Sequence, residues 1–422
     1  MIKFPEDFLF GTATAAHQIE GDNIYNDWWE WESSGKLKVR SGKACNHWEL
    51  YREDIELMAK LGYPAYRFSI EWSRIFPEKD KVDNVVLNKY RKIVDLLKKH
   101  GIKPMITLHH FTNPRWFNKL GGWIKHDNIS HFLRFVEIIA DNFSDVEYFI
   151  TFNEPNVYVL QGYIMGVWPP GYKSLGIADK VMINLVEAHG EAYSILKKKG
   201  VKISIAQNMI PFKPFSNKKR DIDKTMKVDK FYNWSFLEGV LEGVVTTFKK
   251  SYQVRQSDLD FIGINYYSAY LVKHTWNPFK LFIEVYPLET EYPTTMGYYI
   301  YPRGIYEVIT SVHERFGKEI IITENGVAVE NDEWRILSII RHLQYIHKAI
   351  SENIDVKGYY YWSFMDNFEW DKGFTQRFGL IEVDYETFKR IPRKSAYAYS
   401  DIARTKSISD ELLDKYGLKN LF

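Results

Sequence analysis

Short apolar runs of strand character recur along this chain, each followed by a longer stretch with helical spacing, and that alternation restricts the fold most. Candidate strands occupy residues 8–14, 65–70, 105–109, 148–153, 203–207, 260–267, 319–324 and 357–364. Several are apolar with little alternation, as expected of parallel strands covered on both faces. Between them, 88–100 carries Tyr90, Ile93, Val94 and Leu97 at helical spacing and stops at Gly101, and 130–142, 178–199 and 333–352 read similarly. Strand–helix alternation repeated eight times predicts one closed (β/α)8 TIM barrel across residues 1–422, with a short C-terminal tail at about 403–422. A doubly wound open sheet is the alternative, but no Gly-rich phosphate loop follows the first strand. A barrel of this length is an ordinary single unit, and nothing in the chain reads as a linker.

In such a barrel, chemistry gathers at the C-terminal ends of the strands. Glu154 stands there in Thr151-Phe152-Asn153-Glu154-Pro155, and Glu324 in Ile321-Ile322-Thr323-Glu324-Asn325-Gly326. Each is the first charged side chain where an apolar run stops. Two carboxylates at strand ends, far apart in sequence, meet the requirement for retaining hydrolysis of a glycosidic bond. The other ends contribute Gln18 and Glu20, Arg67, His109 and His110, Asn153, Asn265 and Tyr267, and finally Trp362, Glu369 and Trp370. These groups hydrogen-bond hydroxyls and stack on rings. Neighbouring residues on a strand point to opposite faces, so His109 and His110 do not share one ion. Neither metal nor organic cofactor is expected.

The 56 basic and 54 acidic residues leave a net charge of +2, which gives no reason to expect nucleic acid as a partner. The single Cys45 excludes an internal disulfide and fits a reducing compartment. The N-terminus lacks the apolar segment of a secretion signal. No apolar run approaches the ~20 residues of a transmembrane span. The expected location is the cytoplasm.

Taken in order, the motifs resemble glycoside hydrolase family 1, the retaining β-glucosidases and β-galactosidases. The likeness runs from Phe8-Leu9-Phe10-Gly11-Thr12-Ala13-Thr14 and Gln18-Ile19-Glu20-Gly21 through Tyr66-Arg67-Phe68-Ser69-Ile70-Glu71-Trp72-Ser73-Arg74 and the two glutamate motifs. It ends with Trp362-Ser363-Phe364-Met365-Asp366-Asn367-Phe368-Glu369-Trp370, Arg377-Phe378-Gly379-Leu380 and Val383-Asp384-Tyr385. The resemblance implies that Glu154 is the acid/base and Glu324 the nucleophile, with Arg67, Tyr267 and Asn265 beside it. It implies that Gln18, His110, Asn153, Glu369 and Trp370 hold sugar hydroxyls over a Trp362 platform, and that the partners are small β-glycosides or oligosaccharides. The family commonly carries Trp after the histidine; here Phe111 follows His110 and removes an N–H donor. The chain is also short for the family, which implies trimmed loops and an open aglycone site.

Charge completes the expectation. Arg67 and Tyr267 keep Glu324 ionised, its charge raises Glu154, and an ionised Glu369 repels 6-phosphosugars. A 6-phospho-β-glycosidase and a non-catalytic sugar-binding protein on the same scaffold stay as alternatives. Arg67 has Glu71 as a second candidate partner. The aromatic segment 276–286 follows the sixth strand and overhangs the site. It is read as the wall of an apolar aglycone pocket, a homo-oligomer contact or a peripheral membrane contact, against simple packing on the barrel's own loops.

Overall fold

Eight parallel strands close on themselves in the computed structural model, which describes residues 1–277 and 280–418. They are β1 (Leu9–Ala13), β2 (Ala65–Ser69), β3 (Lys103–His109), β4 (Tyr148–Asn153), β5 (Lys202–Asn208), β6 (Ile262–Asn265), β7 (Ile320–Asn325) and β8 (Val356–Trp362). Each pairs with the next, and β8 closes on β1 from Gly358↔Leu9 to Trp362↔Ala13. Main helices follow the strands as α1 (His47–Leu61), α2 (Asn84–Lys99), α3 (Ile129–Asn142), α4 (Leu175–Lys197), α5 (Ser235–Glu242), α6 (Arg303–Phe316), α7 (Asp332–Ser351) and α8 (Lys394–Thr405). The chain is a single-domain (β/α)8 barrel.

Hydrophobic alternation survives inside these near-uniform strands. Ile320 and Ile322 join the core between barrel and helices, whereas Ile321 joins the separate cluster in the barrel interior with Ala65, Met105, Ala206 and Tyr360. The interior is filled: a Cβ at Gly11 would overlap the Tyr360 ring. Helix α2 begins earlier than its apolar spacing indicates, because the Asp83 carboxylate accepts the Val85 and Val86 N–H groups and caps it.

Register slips cluster where the site begins, with one further shift lower down, between Ile320 and Ile321 where β7 meets β8. The β4–β5 register slips between Ile150 and Asn153, β6–β7 between Ile264 and Asn265, and β7–β8 shifts again between Ile322 and Asn325. Such bulges re-aim side chains at strand ends. A small sheet of Phe212–Pro214, Tyr270–His274 and Ile283–Pro287 is built from the loops after β5 and β6. The stretch read as a tail is integrated as far as Leu418: Ser407–Ile408 pairs with Ile2–Lys3, and Leu412, Leu413 and Tyr416 are buried. Among the described residues, no helix is long and apolar enough to cross a membrane.

Candidate active site

Most of the strand-end residues singled out in the sequence converge on one buried polar cluster; Glu20 instead accepts from Arg74 and Tyr90, and His109 turns away. Glu324 ends β7 with one oxygen taking the Arg67 Nη1 at 2.7 Å and the other the Tyr267 hydroxyl at 2.6 Å. Arg67 is itself fixed: Nε donates to Thr107 Oγ1 at 3.0 Å and Nη2 to Asn153 Oδ1 at 2.6 Å. The expected alternative of an Arg67–Glu71 pair is not what forms; Glu71 instead accepts from Ser73 and Thr112. Glu154 sits one residue past β4 with φ +44°, in the left-handed region, and its N–H donates to the Ala206 carbonyl at 2.7 Å. Strain of that kind persists where surrounding structure over-determines it. Its Oε1 accepts from Asn265 at 2.9 Å and Asn208 at 2.8 Å. Asn265 Nδ2 also donates to Asn153 Oδ1 at 3.1 Å, and its Oδ1 accepts from the Thr323 hydroxyl at 2.7 Å. A Cβ at Gly326 would overlap the Trp362 carbonyl oxygen, which is why glycine follows Asn325 there.

Charge separates the two acids. Burial and then the Glu324 charge push Glu154 up to about 7, against the amides of Asn208 and Asn265. Burial lifts Glu324 above the ordinary carboxylate value too, opposed by Arg67 and Tyr267. Only Glu324 has a guanidinium and a phenol in contact, so it ionises first, and the pair titrates as a coupled unit.

The amide orientation of Asn153 sets the tautomer of His110. Asn153 Oδ1 accepts from both Arg67 and Asn265, so its Nδ2 faces His110 Nε2 at 3.2 Å. The His110 proton is therefore on Nδ1, which is buried without a protein partner. Burial, then the Arg67 charge, holds this imidazole neutral by pulling its pKa well down. Trp362 stacks on the His110 ring at 5.8 Å. Across the mouth, Gln18 Nε2 donates to Asn367 Oδ1 and the Phe368 carbonyl, both at 2.9 Å, and to Glu369 Oε2 at 3.2 Å, leaving its Oε1 free. His109, one residue away from His110, turns to the helix layer against Trp123 and Tyr158.

The sequence profile of glycosyl hydrolase family 1 matches residues 1–408. The chain belongs to that family. A solved β-glycosidase from Pyrococcus horikoshii is 54% identical, covering 100% of this chain and 99% of its own, with a TM-score of 0.96. A family 1 β-glucosidase from Thermotoga maritima, solved in complex with isofagomine lactam, is 34% identical over 96% of this chain and 100% of that one, with a TM-score of 0.90. A β-galactosidase from Saccharolobus solfataricus is 31% identical over 98% of this chain and 97% of its own.

In this family 1 chain, two groups join the site that the strand ends did not announce. Asn208 lies at the end of β5, one residue beyond the strand drawn from sequence, and Tyr232 donates to its Oδ1 at 2.8 Å. Tyr298, on the loop after β6, is buried with an unpartnered hydroxyl and packs 6.3 Å from the Tyr267 ring. Phe111 fills its place by packing 5.3 Å from Trp370 and 5.1 Å from Trp168.

Glu369 needs a correction. Although it keeps some exposure to the cavity, burial, then Glu324 and Glu154, push its carboxyl up to about 8. The shift favours the protonated carboxyl, which weakens the repulsion of a phosphate expected from its charge. Segment 276–286 also divides: Pro278 and Phe279 lie outside the described residues, while Leu281, Ile283, Val285 and Tyr286 wall a cavity of about 1020 Å³. Leu160, Ile164, Phe212, Phe231, Phe248 and Tyr232 line its other sides, so it begins one side chain beyond the Asn208–Glu154 contact. Among the described residues, no cluster of His, Cys, Asp and Glu is arranged to hold a metal ion.

Proposed function

We propose that this family 1 β-glycosidase is a retaining, exo-acting enzyme for β-D-glucosides, with galactosides, fucosides and mannosides as further substrates. The observation that carries the reading is the asymmetry of the two glutamates. Glu154 accepts from two neutral amides, Asn208 and Asn265, whereas Glu324 is paired to a guanidinium. Glu154 donates its proton to the glycosidic oxygen as the C1–O bond breaks and a Glu324 oxygen bonds to C1. The new ester has no charge, so Glu154 becomes a stronger acid and gives way to its role as base. It takes a proton from water, whose oxygen bonds to C1 and releases Glu324. Asn153, His110, Gln18, Glu369 and Trp370 hold hydroxyls around the Trp362 platform, and Asn153 strengthens its contact in the transition state. The relatives named β-glucosidase and β-galactosidase support the glucosides and galactosides in this range.

The apolar cavity beside Tyr232 favours apolar aglycones, and it lets an alcohol compete with water for the glycosyl-enzyme. In a panel of nitrophenyl glycosides and alkyl glucosides, kcat/KM should rise with chain length by ~10-fold or more as methylenes become buried. Added alcohol should divert product to the β-alkyl glycoside. First-formed α-anomer in the NMR spectrum would overturn retention, and a flat chain-length profile would remove the aglycone assignment.

The buried thiol of Cys45 is compatible with the cytoplasm. On the outer side of the small sheet, Trp276 is 77% and Met226 58% exposed, with Arg220, Lys224 and Lys273 over aromatic rings. Aromatic and basic side chains together fit peripheral contact with an anionic lipid surface. The chain should sediment with anionic vesicles at low salt and lose that binding in Trp276→Ser. Binding equal on neutral vesicles, or a dimer by light scattering that Trp276→Ser dissolves, would replace the lipid surface with another reading.

A further inference from the structure

His17 does not face the sugar, yet it is the fourth ring of a stack that starts there. Trp362, His110, Trp370 and His17 follow one another at centroid separations of 5.8, 6.1 and 5.7 Å, with interplanar angles of 14°, 13° and 15°. These lie in the range of offset stacking. The outer ring is pinned at both nitrogens. Asn26 uses its Oδ1 to accept the Trp29 N–H at 2.8 Å, so its NH2 group faces His17 Nδ1 at 3.0 Å. Nδ1 is thus the acceptor, and Nε2–H donates to Glu32 Oε1 at 2.8 Å. The other Glu32 oxygen accepts the Ser41 N–H and hydroxyl, both at 2.8 Å. The His17 and Glu32 side chains are each 1% exposed.

A phenyl ring would pack here without needing any of these bonds. What the bonds add is a fixed ring plane. Trp370 needs one, because it holds φ +48°, a conformation a bulky residue keeps only under constraint. Its chain neighbour is Glu369. On the same turn as His17, Gln18 holds Asn367, Phe368 and Glu369 through its amide. Residues 17 and 18 therefore grip one loop twice, by a ring and by hydrogen bonds.

We propose that His17, held by Glu32 and Asn26, is a positioning residue that sets the plane of Trp370 and, through it, the sugar-facing groups of His110 and Glu369. The proposal rests on the reading of those groups as hydroxyl-holding. The test uses His17→Ala, His17→Phe and Glu32→Gln in the full chain, assayed on nitrophenyl β-glucoside and its monodeoxy analogues, with the thermal midpoint recorded. In His17→Ala, KM should rise about tenfold with kcat within about threefold, and preference for the parent sugar over its deoxy analogues should shrink. His17→Phe keeps the ring and should fall between; Glu32→Gln conserves size and should shift KM in the same direction. Parent-like KM and sugar preference in the folded variants would overturn the proposal, as would a lower midpoint with unchanged kinetics. A parent enzyme indifferent to the deoxy analogues would instead overturn the hydroxyl-holding reading itself, whatever the variants do.

Discussion

Glu324→Ala should lower turnover of nitrophenyl β-glucoside on the order of 10⁴-fold or more, because no other group near C1 is placed to form the glycosyl ester. The substitution also leaves Arg67 without the carboxylate it meets at 2.7 Å in a site where both side chains are almost fully buried. Breaking such a pair costs roughly 3–5 kcal/mol, so the thermal midpoint should drop as well. Azide should restore turnover: a small anion fits the vacated space, and the Arg67 guanidinium attracts it. It would attack C1 from the face Glu324 occupied, in a single displacement, and the product should be the α-glycosyl azide. NMR of that product decides the matter. Unchanged activity, or a β-azide, would contradict the role given to Glu324.

Removing Glu154 should produce the second large effect, with a different signature. Its carboxyl is raised to about 7, so the proton it must donate is present below that pH and lost above it. The kcat/KM profile, which reports the free enzyme, should therefore fall through a basic limb near pH 7. The acidic limb belongs to Glu324 and should lie above the ordinary carboxylate value, since burial raises that group. In Glu154→Gln the basic limb should vanish. The loss should also depend on the leaving group. Alkyl glucosides need protonation and should slow by about 10²–10⁴-fold, whereas cleavage of a dinitrophenyl glucoside should hardly change. An equal loss on both substrates, or a basic limb retained in the variant, would show that another group supplies the proton.

Much of this was readable in the chain before its coordinates. Apolar runs ending in Asn153, Asn265 and Glu324 announce strands and the residues at their tips, since burial on both faces leaves polar side chains nowhere else to stand. Asn208 escaped because a strand boundary was set at Gln207, and one residue there separates the barrel wall from the cavity. Tyr298 escaped for another reason: it comes from a long loop, and no periodicity marks where a loop folds back. The state of Glu369 was unreadable in principle. Sequence shows a carboxyl, whereas its protonation depends on how much water and how many other acids surround it. Nothing in the sequence marks His17, because the plane of its ring relative to Trp370 leaves no trace in spacing or composition.

The barrel strands β4 and β6 have two mechanical regimes. Along most of β4 and β6 the register is unbroken, and a one-residue slip would turn the hydrophobic face inside out. In these two strands only the last few positions depart from it. Errors in that terminal span are not propagated down the ladder, so the rim tolerates redesign while the wall beneath does not. Altered specificity in this protein is thus a matter of rebuilding tips and loops, with the cost in folding confined to the same few residues.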